Sequence, residues 1–201
     1  MARLNHEADK LRENIIKHST DEVAQRIAHG VPLSDPPTDE ERIQWVHHVV
    51  ESLDASFDPP TVRSIRAGCY CNEDGKLEKT IHWLKGLYDA SEDIHSFVDK
   101  VNERGAGWVL EDGYLYTSYT DCPCPLLDGI DHLSSKAWCY CTVGYNKAIF
   151  SHVFGIPFDD VEVSLLKAIK MGDDCCLLRI NAKELPTKCV SNWMQDGEPK
   201  A

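Results

Sequence analysis

Three Cys-x-Cys pairs restrict the folds open to this chain more than any other feature of its sequence. Inside an α-helix, residues i and i+2 lie about 200° apart around the axis, so the two thiols of such a pair diverge. In an extended segment the same residues share a face, with Cα atoms about 6.5 Å apart. Rotation of the side chains then brings both sulfurs onto one metal ion, with bonds of about 2.3 Å. The pairs are Cys69 and Cys71, Cys122 and Cys124, and Cys139 and Cys141.

The middle pair is prepared for metal binding by the prolines around it. In the stretch Cys122-Pro123-Cys124-Pro125, each proline fixes its own φ angle and disfavours the α region for the cysteine before it. We therefore expect this pair to be extended, with both thiols on one side.

The other two pairs share the sequence CYC and stand ahead of predicted helices. Thr142 is the expected N-cap after the third pair, and Asn72 or Asp74 after the first. The positive end of a helix dipole lowers the pKa of a nearby thiol, which favours metal binding or nucleophilic chemistry. An earlier helix start at Ser134 or Ser135 would remove this geometry from the third pair.

These observations predict a thiolate metal site. The second and third pairs supply part or all of it, and the first pair completes it or builds a neighbouring site. Zinc is the ion expected for four thiolates in the cytoplasm, and an iron–sulfur cluster is the alternative. Two other interpretations stay open: the cysteines are reactive thiols, or they are small buried apolar side chains.

Five other residues are candidates for roles near this site. His132 lies between the second and third pairs and is the histidine placed to reach them. Tyr140 and Tyr145 flank the third pair and are candidates for lining a cofactor or ligand pocket. Cys175 and Cys176 stand in a predicted strand, where one thiol faces inward and the other outward. A core role is therefore expected for that pair.

Composition excludes several classes of protein. The chain of 201 residues has 33 Asp and Glu against 21 Lys and Arg, a formal net charge of −12. Such a surface repels phosphate backbones, so no nucleic-acid partner is expected. No apolar run approaches the roughly 18 residues of a membrane span, and the charged N-terminal segment lacks the apolar region of a signal peptide. We expect a cytoplasmic protein whose nine cysteines are metal ligands or reactive thiols rather than a disulfide framework.

Hydrophobic periodicity predicts an α+β fold, with a helical N-terminal half packed on a small antiparallel sheet. A capping box at Thr38 starts one helix, and an Asp112-Gly113 turn marks a hairpin. The predicted elements are helices over 4–29, 38–53, 72–90, 91–105 and 142–155, hairpin strands within 107–120, and strands over 161–169 and 175–182.

The segment from Cys139 to Ile180 has the form C-Y-C-x-x-G-Y-x-x-x-I-F-x-x-x-F-G, then V-E-V, then A-I-K-x-G-D-x-C-C-L-x-R-I. It resembles the C-terminal part of 4-vinyl reductase-type domains, and an uncharacterised cysteine-rich family of anaerobic bacteria. The resemblance implies an α+β fold that holds a small hydrophobic molecule, often dimerises, and in some members binds zinc through cysteines. The matching positions are Gly144, Gly155, Gly172 and either Cys175 or Cys176.

Three kinds of function are compatible with the sequence. The first is a metal-binding module with a small-molecule binding or sensory role. The second is a metal- or thiol-dependent enzyme of unknown reaction, or an iron–sulfur redox protein. The third is an interaction protein that docks through its N-terminal helices. We divide the chain into a helical extension over 1–60, a cysteine-rich α+β domain over 61–190 and a tail over 191–201.

Overall fold

The computed structural model of the protein describes residues 3–72 and 75–183. The predicted tail, Asp74 as a helix cap and the ninth cysteine, Cys189, lie outside these residues. The described part of the chain holds seven α-helices and a four-stranded antiparallel sheet, which confirms the α+β fold with its helical N-terminal half. None of the described helices is long and apolar enough to cross a membrane.

The N-terminal half is built from four helices. The predicted helical stretch over 4–29 divides into two, because Thr20 caps a second helix. The capping box of the third helix is confirmed: Thr38 and Glu41 each accept a hydrogen bond from the other's backbone N–H. The four helices are α1 (Arg3–Ile16), α2 (Asp21–His29), α3 (Asp39–Ser56) and α4 (Pro59–Ala67).

Helix α4 is absent from the elements predicted above. The Asp58 carboxylate caps it by accepting the N–H of Thr61 at 2.9 Å, and Pro59 takes the first helical position. Both are ordinary start signals that the Asp-Pro-Pro sequence carries. The helix matters for the site because its last turn carries Arg66 and leads directly into Cys69.

The first cysteine pair is not followed directly by a helix. Helix α5 spans Lys76–Asp89, and its N-cap is Gly75 in the left-handed conformation. The expectation that Asn72 caps this helix is wrong, since the Asn72 amide instead donates to the Glu78 carboxylate at 2.9 Å. Helix α6 (Ile94–Asn102) follows and is capped by Asp93.

The sheet has the strand order β1-β2-β4-β3, with all neighbours antiparallel. Asp112 and Gly113 have φ angles of 50° and 78°, as a type I′ hairpin turn requires. Tyr119, at the end of β2, pairs with Cys176, at the start of β4. The strands are β1 (Val109–Glu111), β2 (Tyr114–Tyr119), β3 (Val163–Lys167) and β4 (Cys176–Asn181).

Helix α7 (Cys141–Phe154) starts one residue earlier than predicted and without a side-chain cap. A 3₁₀ turn over Trp138–Tyr140 runs straight into it, so Thr142 is not the N-cap. The Ser135 hydroxyl accepts the N–H of Ala137 at 3.0 Å, but neither Ser134 nor Ser135 starts the helix. The helix ends at Gly155 in the left-handed conformation, as predicted.

Two apolar clusters hold these elements together. One joins the N-terminal helices to the segment over 126–138. In it, the ring of Trp45 packs edge-on against that of Trp138, with 5.3 Å between the ring centres. The other lies between α5, α6, α7 and the sheet. Helices α4 and α7 meet at Gly144, where an added Cβ would lie 1.8 Å from the carbonyl oxygen of Ala67. This close approach brings the end of α4 beside α7.

Candidate functional site

A cavity of about 510 Å³ opens where β2 ends, β4 begins and α7 starts. Its walls combine thiols with apolar and aromatic side chains, and Lys76, Asp128 and Thr142 add polar groups. Six of the cysteines that the structure describes line it, and five of these were predicted from the sequence. The six are Cys71, Cys122, Cys124, Cys139, Cys141 and Cys176.

Both thiols of the middle pair line the cavity. The pair follows β2, and Cys124 has extended backbone angles of φ −88° and ψ 107°. Pro125 then opens a short 3₁₀ turn, and the N–H of Leu127 donates to the Cys124 carbonyl at 3.0 Å. The prolines therefore set the direction of this segment.

The third pair reaches the cavity by a different geometry. Cys139 lies in the 3₁₀ turn, where its N–H donates to the Lys136 carbonyl at 2.9 Å, and Cys141 is the first residue of α7. Residues i and i+2 in such turns do not share a face. The two thiols nevertheless both line the cavity, because it extends along the start of the helix.

The first pair is split. Cys71 lines the cavity, whereas Cys69 is 1% exposed and belongs to the apolar cluster of the N-terminal helices. The Cys69 thiol donates to the Ile65 carbonyl at 3.3 Å, one turn back in α4. Cys69 therefore lies beside the site rather than in its wall.

Cys176 is a cavity residue for which the sequence analysis expected a core role. It occupies the same strand face as Leu178 and Ile180, which are fully buried, and its sulfur accepts the Ile169 N–H at 3.5 Å. Cys175 faces the other side of the sheet and does not line the cavity. The alternation of the strand was the available signal: the cysteine two residues before Leu178 is the one that faces inward.

Arg66 is a second residue that the sequence analysis missed. Its side chain is 3% exposed, its guanidinium lies 4.3 Å from the centre of the Trp138 ring, and its Nη2 donates to the Trp138 carbonyl at 3.1 Å. Its Nε makes no hydrogen bond within the described residues. Burial alone lowers the pKa of Arg66, but the nearby thiols, Cys69 and Cys141 first, raise it overall. A buried cation of this kind needs negative charge beside it.

The thiols themselves have raised pKa values, because burial disfavours the thiolate. Burial raises the pKa of Cys139 to about 12 and holds that of Cys141 well above its ordinary value, although Arg66 opposes both shifts. For Cys141, burial thus acts against the lowering of the pKa that the sequence analysis expected from the helix dipole. Without a metal these groups are protonated thiols, which are weak nucleophiles.

The aromatic and histidine candidates divide in the same way. Tyr145 lines the cavity, as does Tyr119, which the sequence analysis did not single out. Tyr140 lies outside the cavity lining, with the Arg63 guanidinium 5.4 Å from its ring centre. His132 is exposed, near Gly172, and also lies outside the lining.

Within the described residues, no three His, Cys, Asp or Glu side chains stand together as a ready set of metal ligands. None of the eight described cysteines forms a disulfide with another described residue. Their shared cavity, the buried Arg66 and the indole N–H of Trp138 nevertheless suit a thiolate centre. The Trp138 N–H makes no hydrogen bond within the described residues. It nevertheless lies close enough to the Cys124 thiol to oppose the rise in the Cys124 pKa that burial causes.

Comparison with known proteins places the chain in a family. A family model described as "Family of unknown function (DUF6144)" matches residues 4–186, so the chain belongs to this family. The matched range covers both the N-terminal helices and the cysteine-rich part. No curated protein and no solved structure matches the chain.

Proposed function

We propose that this member of the DUF6144 family binds a thiophilic metal ion, zinc first, through thiolates of the cavity, and holds a small hydrophobic molecule beside it. The observation that carries the proposal is the convergence of six thiols on one cavity next to a buried arginine. The role is that of a binding or sensory module.

The charge balance of the site supports metal binding. Four thiolates around a divalent ion carry a net charge of about −2, and such a centre is stable when buried only with compensating charge and N–H donors. The guanidinium of Arg66 and the indole of Trp138 provide both at the cavity wall. The backbone segments that carry these thiols border the same space.

The two thiol alternatives have less support. Reactive cysteines work as thiolates, whereas burial raises the pKa of Cys124, Cys139 and Cys141. Inert packing leaves the Glu7 carboxylate to offset the buried charge of Arg66, with no contribution from thiolates. An iron–sulfur cluster uses the same donor atoms as zinc and remains the alternative occupant.

The small molecule is supported by the rest of the lining. Leu77, Leu165, Tyr119 and Tyr145 provide apolar and aromatic surface of the kind that ligand pockets use. The resemblance to 4-vinyl reductase-type domains points to the same class of ligand and to a homodimer. The proposal includes a cytoplasmic location, where thiols are kept reduced and available for metals.

Metal content of anaerobically purified protein, with an absorption spectrum of the same sample, tests the proposal. About one zinc per chain in a colourless solution is the expected result. Cys141→Ser should lose the metal, while Cys175→Ser should keep it, because Cys175 lies outside the cavity lining. Wild-type protein that stays metal-free after incubation with zinc and iron would contradict the proposal.

The same spectrum separates the two occupants. Iron with visible sulfur-to-iron absorption would show that the occupant is an iron–sulfur cluster rather than zinc. The proposed function would then be electron transfer or redox chemistry. The cysteine variants keep their meaning in that case, since both occupants depend on thiolates.

A further inference from the structure

We propose that Tyr70, the residue between the two cysteines of the first pair, is a positioning residue that holds the Cys71 thiol in the cavity wall. This inference rests on the proposed function, in which Cys71 is one of the thiols available to the metal. Tyr70 itself lies outside the cavity lining, so it acts through Cys71 and not by touching the metal.

Cys71 stands in a segment without regular structure. Residues 70–72 follow the end of α4 and belong to no helix or strand. Cys141 and Cys176, by comparison, are the first residues of α7 and β4. Contacts that the neighbours of Cys71 make with the rest of the fold must therefore set the position of its thiol.

Tyr70 makes such contacts with two other parts of the chain. The Lys10 ammonium, from α1, donates to the Tyr70 carbonyl and lies 5.1 Å from the centre of the Tyr70 ring. The Tyr70 ring stacks on that of Phe158, with 6.2 Å between the ring centres and 29° between the planes. Phe158 starts a 3₁₀ turn after α7, and the Lys147 ammonium of α7 lies 5.0 Å from its ring centre. We call these four residues the clasp.

The contacts of the clasp are of kinds that fix a side chain in place. Stacked rings and cations over ring faces have preferred geometries, and their strength increases when water is excluded. Tyr70 and Phe158 are both half-buried against the apolar cluster of α5, α6, α7 and the sheet. On the other side of Cys71, the Asn72 amide donates to the Glu78 carboxylate of α5 at 2.9 Å. Cys71 is thus held between two tethered neighbours.

A ligand that is already in place favours metal binding. Metal sites require their ligands to be held close to the productive geometry, by groups around them that lock the backbone and side chains. A loosely held Cys71 would have to be ordered when the metal binds, at a cost in conformational entropy. Because the clasp orders this segment beforehand, it should slow the release of the metal.

Alkylation of zinc-free protein under native conditions, mapped by mass spectrometry, tests the position of Cys71. In Tyr70→Leu, Cys71 should be modified about 5- to 30-fold faster than in the wild type, the factor that corresponds to ordering one residue. Cys69 should stay protected, because it is 1% exposed and reports on unfolding of the same molecule. Tyr70→Phe keeps the ring and should keep the wild-type rate.

Two further variants separate the clasp from a general effect of losing a tyrosine. Tyr114 also has two cations at its ring, Arg179 at 4.8 Å and Lys183 at 4.3 Å, but it lies in β2 outside the cavity lining. Tyr114→Leu should leave the Cys71 rate unchanged. Lys10→Met should raise that rate, and adding it to Tyr70→Leu should have little further effect, because both substitutions open the same contact.

Zinc release into an excess of chelator connects the clasp to the proposed function. Release should be at least fivefold faster from Tyr70→Leu than from the wild type and from Tyr114→Leu. An unchanged release rate, or an unchanged Cys71 alkylation rate, would overturn the inference and leave metal binding intact. Equal acceleration of Cys69 and Cys71 would also overturn it, since Tyr70 would then support the fold as a whole.

A wild type that binds no metal would overturn the proposed function. The alkylation rates of zinc-free protein would still decide whether Tyr70 holds Cys71, so the two failures are distinguishable.

Discussion

Arg66 shows how one side chain can indicate the chemistry of a site. Its guanidinium is buried on the face of Trp138, where stacking and one hydrogen bond leave part of its donor capacity unused. A buried cation is costly unless negative charge lies close to it. In the proposed function, the thiols around it become that negative charge when a metal displaces their protons. Arginine is the suitable cation here because its planar group stacks and donates at once.

Replacement of Arg66 by methionine should therefore weaken zinc binding about 10- to 100-fold, the range typical of groups that contact metal ligands. Arg66→Lys should fall between this variant and the wild type, because lysine keeps the charge but loses the planar stack. Competition titrations against a coloured chelator measure both affinities. Wild-type affinity in Arg66→Met would show that the guanidinium does not serve the centre.

Gly144 has a packing role that can be tested at the same scale. Any Cβ at this position would lie 1.8 Å from the Ala67 carbonyl oxygen, which belongs to backbone and cannot rotate away. Gly144→Ala should lower the free energy of unfolding by about 1–3 kcal/mol, the usual cost of overpacking. Urea denaturation measures the change.

Gly86 provides the matched control for that substitution. It also lies inside a helix, α5, but an added Cβ would meet nothing within 4 Å. Gly86→Ala should stabilise the protein by about 0.4–1 kcal/mol, because alanine restricts the unfolded chain. Equal effects of the two substitutions would show that the contact between α4 and α7 is not as close as described.

At the scale of elements, the start of α3 shows a local signal acting as the sequence predicts. Glu41 accepts hydrogen bonds from the Ser34 hydroxyl at 2.6 Å and from the Thr38 N–H at 2.7 Å. The hydrogen bond from Ser34, followed by that from the Thr38 backbone, lowers the pKa of Glu41 below its ordinary value. The carboxylate therefore ties the loop over 34–38 to the first turn of the helix.

The sign of the pH dependence follows from that lowered pKa. The stabilisation is fully present above the ordinary glutamate pKa of about 4.3, and it is lost as the pH falls through the lower value of the folded state. The difference in melting temperature between wild type and Glu41→Ala should thus shrink between pH 6 and pH 3. Glu40→Ala is the control from the same helical turn, and its difference should depend less on pH. A difference for Glu41→Ala that stays constant with pH would contradict the role of the carboxylate.

At the scale of the whole molecule, the N-terminal helices and the cysteine site share one apolar cluster. Trp45 of α3 is fully buried, donates its indole N–H to the Ala28 carbonyl at 2.8 Å and packs edge-on against Trp138. The Arg66 guanidinium stacks on the Trp138 ring, and Trp138 also lines the cavity. The helices thus support the wall of the site.

Trp45→Ala should therefore lower the free energy of unfolding by about 3–5 kcal/mol, the range for a buried aromatic side chain. It should also weaken zinc retention, since Trp138 loses its support. Trp83→Ala, on the outer side of α5 with 41% exposure, should change stability by less than about 1 kcal/mol. Thermal and urea unfolding measure both, and a Trp45→Ala protein as stable as Trp83→Ala would show that the two parts fold separately.

The sequence by itself determined the local structure. The capping box at Thr38, the type I′ turn at Asp112-Gly113, the end of α7 at Gly155 and the extended Cys124 follow from residues a few positions apart. Such signals act through short-range sterics and hydrogen bonds, which the chain carries wherever it goes. The α+β fold class follows from the same signals, since the change from helical to alternating periodicity is visible without any contact.

Only the tertiary structure decided which cysteines share the cavity. Cys69 and Cys71 look equivalent in sequence, yet packing of α4 buries the first in the apolar cluster and leaves the second in the cavity wall. Cys176 joins the wall because β4 pairs with β2 at Tyr119, and Arg66 reaches Cys141 because α4 touches α7 at Gly144. Strand alternation and helix period fix the direction of a side chain within its own element. What that direction faces depends on elements far away in the chain, and only packing brings those together.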